Sequence, residues 1–111
     1  MEGATFLRDT RYPIPASAQA SAGVRLLGTS TRVPVERLVD LSAAGLRFIC
    51  KAPFQEKTDV DVLIHIGAYK LKFIGQVIRV TTGEGGLWDT FVSFQTISEV
   101  NLRKLFSLVK T

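Results

Sequence analysis

The 111-residue chain carries a formal net charge of +4 and has one cysteine, Cys50, and one histidine, His65. A lone cysteine cannot form an internal disulfide, and this pair argues against a His/Cys metal site, so no metal or other cofactor is expected. No run approaches about 18 uninterrupted apolar residues, and the N-terminus lacks a basic-then-apolar signal pattern. The sequence therefore predicts a domain without a membrane span, located in the cytoplasm.

The first part of the chain is polar and irregular and ends in Pro13 and Pro15. Such composition is typical of a mobile terminus rather than of a core element. The segment carries two arginines, Arg8 and Arg11. We expect residues 1–15 to form a flexible N-terminal arm and residues 16–111 to form the folded domain.

Short apolar segments separated by turn residues predict an all-β domain. The predicted strands cover residues 16–27, 35–39, 46–50, 59–66, 70–80 and 88–97. In the fourth segment every second residue is apolar, which indicates a strand with one buried face. A short reversal at residues 67–69 predicts a hairpin with the next strand. Gly75 lies where the apolar phase of that strand shifts, so it is expected to mark a bulge or bend.

After residue 97 the apolar period changes from strand to helix. Ser98 is suited to cap a helix, and Glu99 is favourable in its first turn. Apolar residues then recur at helical spacing, at Leu102, Leu105, Phe106 and Val109. The sequence thus predicts about six antiparallel strands and a C-terminal α-helix, and closing the strands into a small barrel would remove exposed strand edges.

Polar residues interrupt the apolar pattern in the segment VDLSAAGL, residues 39–46. Asp40 is able to accept hydrogen bonds from a guanine edge, the Ser42 hydroxyl both donates and accepts, and Gly45 lets the backbone approach a flat ligand or adopt a positive φ. Residues of these types also form ordinary turns by bonding to their own backbone. The spacing D-x-S-x-x-G by itself leaves both interpretations open.

No residue pattern predicts catalysis. His65 lies on the polar face of its strand, and no serine or cysteine has a recognisable base partner. The glycines of residues 83–86 are not followed by the Gly-Lys-Ser/Thr of a phosphate-binding loop. We therefore expect a binding module rather than an enzyme.

The arginines in the segment LRDTR (residues 7–11), the D-x-S-x-x-G of residues 40–45 and the C-terminal amphipathic helix together resemble the PilZ domain family. These are bacterial β-barrels that bind cyclic di-GMP, and the resemblance spans residues 6–110. The family pairs an N-terminal R-x-x-x-R with the second motif. Here Leu7 occupies the place of the first arginine, and Arg8 is displaced by one residue. The resemblance implies a six-stranded antiparallel PilZ-type β-barrel with a C-terminal helix.

The resemblance also implies a set of ligand-binding residues. Arg8 and Arg11 would bind guanine edges or phosphate through their planar donors. Asp40 and Ser42 would bond the ligand, and Gly45 would leave room for it. Two further candidates are Arg47, which would add positive charge, and Trp88, which would stack on a base. The arm would order over cyclic di-GMP and signal to a partner protein in motility, pilus or exopolysaccharide control.

Two alternatives remain open from the sequence. Because the first arginine is displaced, the chain is also compatible with a PilZ-like adaptor that binds proteins and no nucleotide. The positive charge suggests a single-strand nucleic-acid binder as well. However, no basic stripe is evident and the aromatic residues are mostly interleaved as core, so no DNA partner is expected.

Overall fold

The computed structural model describes residues 10–109. Within that range the chain forms short strand β1 (Tyr12–Pro13), β2 (Ala20–Leu26), β3 (Val33–Leu41), β4 (Gly45–Cys50), β5 (Asp59–Ile66), β6 (Tyr69–Thr82), β7 (Trp88–Thr96) and helix α1 (Glu99–Phe106). A single 3-10 turn at Glu84–Gly86 precedes β7. No helix in the described part is long and apolar enough to cross a membrane.

Six of the strands close into an antiparallel barrel. They follow the order β3-β2-β5-β6-β7-β4, and β4 pairs back onto β3. The hairpin predicted from the sequence is present as β5 and β6, which pair from Asp59 opposite Gln76 to Ile66 opposite Tyr69. Closure pairs the edges that an open sheet would expose. The predicted six-stranded antiparallel barrel with a C-terminal helix is confirmed.

Alternate residues of the strands fill the barrel interior. Phe48, Val62, Phe73 and Val92 are almost completely buried, and the apolar face of α1 adds Leu105 to the same core. The helix lies at the end of the barrel where β6 begins. There the Tyr69 hydroxyl donates a hydrogen bond to Asn101 Oδ1 at 2.8 Å. The outward-facing residues of the strands are left to form surface sites.

Two local predictions are confirmed. The Ser98 hydroxyl oxygen accepts a hydrogen bond from the Asn101 N–H at 3.1 Å, which caps α1 as the sequence indicates. The pairing of β6 with β7 shifts register between Ile74 and Gly75. A Cβ on Gly75 would overlap Val92 of the neighbouring strand, so this close approach requires a glycine.

The segment before residue 15 differs from a free arm. Tyr12 pairs with Leu41 and Pro13 pairs with Asp40 at the end of β3. Ile14 is 7% exposed and its N–H donates to the Val39 carbonyl at 2.9 Å. Burial of apolar side chains anchors this part of the segment to the barrel. Arg8 lies outside the described residues, so a flexible arm there stays a prediction.

Candidate functional site

Four side chains line up across the outer surface of four neighbouring strands. Asp40 on β3 pairs with Arg47 on β4, and Arg47 pairs with Phe91 on β7. Phe91 in turn pairs with Arg79 on β6. Residues directly opposite each other in antiparallel strands project from the same face of the sheet. We refer to Asp40, Arg47, Phe91 and Arg79 as the outer row.

Arg47 makes the strongest contacts of the outer row. Its Nε donates to Asp89 Oδ1 at 2.9 Å and its Nη2 donates to Asp89 Oδ2 at 2.7 Å, a two-point contact typical of arginine and carboxylate. Its Nη1 donates to Asp40 Oδ2 at 3.1 Å. The hydrogen bonds from Arg47 hold the pKa of Asp89 below its usual value, and the same contacts raise the pKa of Arg47. Both groups are therefore charged at neutral pH.

Arg11 reaches the other oxygen of the same carboxylate. Its Nη1 donates to Asp40 Oδ1 at 3.1 Å. Its guanidinium carbon lies 4.5 Å from the centre of the Phe91 ring, within the range of a cation–π contact. The Asp40 side chain is only 11% exposed, so the two arginines neutralise a carboxylate that has little contact with water.

An open cleft of about 280 Å³ lies over the outer row. It is lined by Arg11, Arg47, Arg79, Thr81, Asp89 and Phe91. Positive side chains outnumber negative ones along this lining, and an aromatic ring lies among them. Such a surface suits a ligand that carries both anionic groups and flat rings.

Ser42 and Gly45 form the turn beside the cleft and do not line the cleft. Ser42 is 3% exposed, and its hydroxyl oxygen accepts a hydrogen bond from the Ala44 N–H at 3.1 Å. The Ser42 N–H donates to the Gly45 carbonyl at 2.9 Å. A Cβ on Gly45 would overlap the Val92 carbonyl oxygen, so its missing side chain makes room for β7. The turn thereby fixes the register that places Asp40 opposite Arg47.

The structure brings together three of the predicted site residues, namely Arg11, Asp40 and Arg47. A direct ligand contact from Ser42 or Gly45 stays a prediction. Trp88 does not line the cleft, because it alternates with the outward residues of β7 and shares the face of buried Thr90 and Val92. Among residues 10–109, no group of His, Cys, Asp and Glu side chains is suited to hold a metal ion.

The sequence interpretation missed Arg79, Thr81, Asp89 and Phe91. A signal for two of them is present in the sequence. Arg79 stands between Ile78 and Val80, and Asp89 is a charged residue inside an apolar strand. Charged side chains within barrel strands face outward unless they are paired, so both residues were candidates for a surface site. Only the pairing of β6 with β7 shows that they share one cleft.

Comparisons with known proteins identify the fold family. The PilZ domain model matches residues 6–111. Solved structures also resemble the chain, among them the following two. Escherichia coli YcgR in complex with c-di-GMP has a TM-score of 0.67 at 20% identity, covering 90% of this chain and 42% of that one. Bacillus subtilis inhibitor of motility, MotI/DgrA, has a TM-score of 0.65 at 11% identity, covering 98% and 50%.

These similarities are limited in sequence identity and in the length of the relatives that is covered. At such identities the two structures support the shared fold alone. The chain spans half or less of the length of each of them. No curated protein matches the chain.

Proposed function

Because the chain belongs to the PilZ domain family, we propose that it is a non-enzymatic cytoplasmic receptor for cyclic di-GMP that binds its ligand in the cleft over the outer row. The observation that carries this proposal is the convergence of Arg11 and Arg47 on Asp40, the first residue of the D-x-S-x-x-G motif. The fold likeness to YcgR, which was solved with c-di-GMP, supports the same ligand.

The chemistry of the cleft fits a guanine dinucleotide. The planar donors of Arg11 and Arg47 match guanine O6 and N7 or a phosphate edge. The Asp40 carboxylate has about four acceptor positions, so it is able to accept from a guanine N–H when an arginine turns toward the ligand. The Phe91 ring offers a flat face for stacking once Arg11 moves off it.

The position of Arg11 suggests how binding reaches the rest of the domain. Its neighbour Tyr12 packs edge-on against Phe106 of α1, with ring centres 5.7 Å apart. We propose that the arm orders over the ligand and that movement of Arg11 is passed through Tyr12 to the helix. Ordering the arm lowers the net affinity by its entropy cost. The receiving partner would be a protein of motility, pilus or exopolysaccharide control.

Calorimetric titration with cyclic di-GMP tests the receptor function. The wild-type protein should bind cyclic di-GMP more tightly than GMP. Arg11→Ala should weaken binding by at least about tenfold, because it removes a charged hydrogen-bond donor from the cleft. The matched control is Arg103→Ala, since Arg103 forms an exposed ion pair with Glu99 on α1 and does not line the cleft. Absence of binding heat at millimolar ligand would reject the receptor function.

The ion pairs of the cleft also favour a second candidate, an adaptor that binds proteins and no nucleotide. Arg11 and Arg47 are already bonded to Asp40 and Asp89, so a nucleotide must compete with internal carboxylates. An adaptor would retain the same partners from lysate in the wild type and in an Arg11→Ala, Asp40→Ala double variant, with or without cyclic di-GMP. Loss of a nucleotide-dependent partner in the double variant would exclude it.

A further inference from the structure

We propose that β6 supplies the phosphate-binding edge of the cleft, through the Arg79 guanidinium and the Thr81 hydroxyl. Both residues lie outside the arginine and D-x-S-x-x-G motifs. The proposal rests on the proposed receptor function and specifies how the ligand is oriented in that site.

The pairing of β6 with β7 places both side chains at the cleft. Arg79 lies opposite Phe91, and Thr81 lies opposite Asp89. The two β6 residues are separated by one position, so they project from the same face of the strand. Both line the cleft and both are exposed. Together they present a planar fork of N–H donors and a hydroxyl to one side of a bound ligand.

Arg79 differs from the other two arginines of the cleft in its bonding. Arg11 is bonded to Asp40, and Arg47 is bonded to both Asp40 and Asp89. Within the part of the chain that the structure describes, Arg79 makes no ion pair and no side-chain hydrogen bond. An anion that binds Arg79 therefore displaces no ion pair or side-chain hydrogen bond among residues 10–109, whereas one that binds Arg11 or Arg47 must compete with a carboxylate.

The carboxylate nearest this edge is already neutralised. Both oxygens of Asp89 accept hydrogen bonds from Arg47. These bonds are the main cause of the lowered pKa of Asp89, and the positive charge of Arg79 adds to the effect, which shows that Arg79 is within electrostatic reach. The edge formed by Arg79 and Thr81 consequently keeps an excess of positive charge that suits a phosphate.

The length of the outer row explains why a dinucleotide would use both ends. Asp40 and Arg79 are separated by three strand spacings, which corresponds to about 14 Å of backbone along the sheet. In the proposed orientation a guanine lies at Asp40, and the phosphates of the same ligand lie along the row toward Phe91 and Arg79. GMP carries one guanine and one phosphate, so it places fewer groups along the row at one time than cyclic di-GMP does. Arg79 should therefore contribute to the preference for cyclic di-GMP over GMP.

Titration of single variants at two salt concentrations tests the proposal. Arg79→Ala should weaken cyclic di-GMP binding by about 10- to 100-fold, as expected for loss of a hydrogen bond between charged groups. Its affinity should also depend less on salt, because one attractive charge is gone. Arg79→Lys should keep the salt dependence and recover part of the affinity. Thr81→Val should weaken binding several-fold, and the control Arg103→Ala should bind like the wild type.

The outcomes separate this proposal from the receptor function itself. If the wild type binds no cyclic di-GMP, both are rejected. If the wild type binds and Arg79→Ala matches Arg103→Ala in affinity, salt dependence and preference over GMP, the β6 edge alone is rejected. Arg79→Gln provides a second neutral variant that keeps a polar side chain, and a thermal unfolding midpoint near that of the wild type shows that each variant is folded.

Discussion

Asp40 joins the two motifs of the sequence at a single carboxylate. Each of its oxygens accepts a hydrogen bond from a different arginine, one on the N-terminal segment and one on β4. The side chain is mostly buried, so loss of either arginine leaves its charge less well compensated. The same carboxylate therefore stabilises the unliganded domain, and in the proposed receptor it would exchange an arginine for the ligand.

Gly45 provides a first prediction at the residue scale. Gly45→Ala should destabilise the domain by about 1–3 kcal/mol, because the added Cβ would overlap the backbone of β7 at Val92. Gly83→Ala is the matched control, since its φ of −113° is ordinary and its nearest neighbour would be a normal contact at 3.4 Å. Urea unfolding of both variants measures the difference. Equal stability of the two variants would show that the close approach of β7 to Gly45 does not require a glycine.

Asp89 provides a second prediction at this scale, on the dependence of stability on pH. Its pKa is lowered in the folded protein, mainly by hydrogen bonds from Arg47. The stabilisation is therefore complete above the unfolded-state pKa of about 3.9 and is lost as the pH falls through the lower folded-state value. Wild type should be more stable than Asp89→Asn at pH 7, and the gap should shrink at pH 3. Urea unfolding at both pH values measures the gap.

A constant gap between pH 7 and pH 3 would contradict the role given to Asp89. Asp61 lies in a separate cluster and also contributes to the loss of stability at low pH. Burial alone would raise its pKa, but hydrogen bonds from Arg25 and Arg32 outweigh that effect and lower it. Comparing wild type with Asp89→Asn cancels this contribution, because Asp61 is present in both proteins.

At the scale of elements, the segment that contains β1 contacts both the cleft and helix α1. The strand is short, but it places Arg11 over the outer row and Tyr12 against Phe106 of the helix. The helix is held in turn by Tyr69, whose hydroxyl bonds Asn101 and whose ring lies beneath the Lys104 ammonium group. Arg11 at the cleft and its neighbour Tyr12 at Phe106 thus join the cleft to α1 through direct contacts.

The capping of α1 is a testable part of this arrangement. Ser98→Ala should lower the free energy of unfolding by about 1 kcal/mol, because the Asn101 N–H loses its acceptor. Ser98→Asp should retain most of the stability, since aspartate accepts the same bond and its charge favours a helix N-terminus. Denaturant midpoints of the three proteins provide the comparison. An Ala variant as stable as the Asp variant would indicate that the cap contributes nothing.

At the scale of the whole molecule, barrel closure gives the outer row a rigid base. The row crosses β3, β4, β7 and β6, and each of these strands is paired on both sides. Side chains on such a base are held close to the geometry in which they bind. The barrel is therefore the fixed part of the proposed receptor, and Arg11 on the adjoining N-terminal segment is the side chain that we propose moves on binding.

Ligand binding should be visible as a gain in stability of the whole domain. At a free cyclic di-GMP concentration of about 100 times the dissociation constant, the unfolding free energy should rise by about 2.7 kcal/mol if only the folded state binds. Thermal or urea unfolding with cyclic di-GMP, and with GMP as control, measures this gain. An equal shift with both nucleotides would show that the site does not distinguish the dinucleotide.

Much of the fold was predictable from local patterns. The alternation in β5, the hairpin to β6, the irregularity at Gly75 and the cap of α1 all depend on residues close in sequence, and each is present in the structure. The predicted ends of strands were less accurate. Asp40 and Leu41 continue β3, because pairing with β4 extends into the expected turn.

The candidate site was only partly predictable. The resemblance to the PilZ family points to Arg11 and Asp40 through its motifs and to Arg47 as a further candidate, and the structure places these three together. Trp88 was proposed from its residue type, yet strand alternation directs it away from the cleft. Arg79, Phe91 and Asp89 have no motif to mark them, because they contribute through cross-strand neighbours rather than through spacing along the chain.

The sequence by itself determined the class of the domain, its strands and helix, and the two motifs that relate it to the PilZ family. These features follow from periodicity and from short-range residue spacing, which act along the chain. Only the tertiary structure decided which charges meet. The register of β3, β4, β7 and β6 aligns residues far apart in sequence into one row. Pairing register depends on the packing of the whole barrel, so no local segment encodes it.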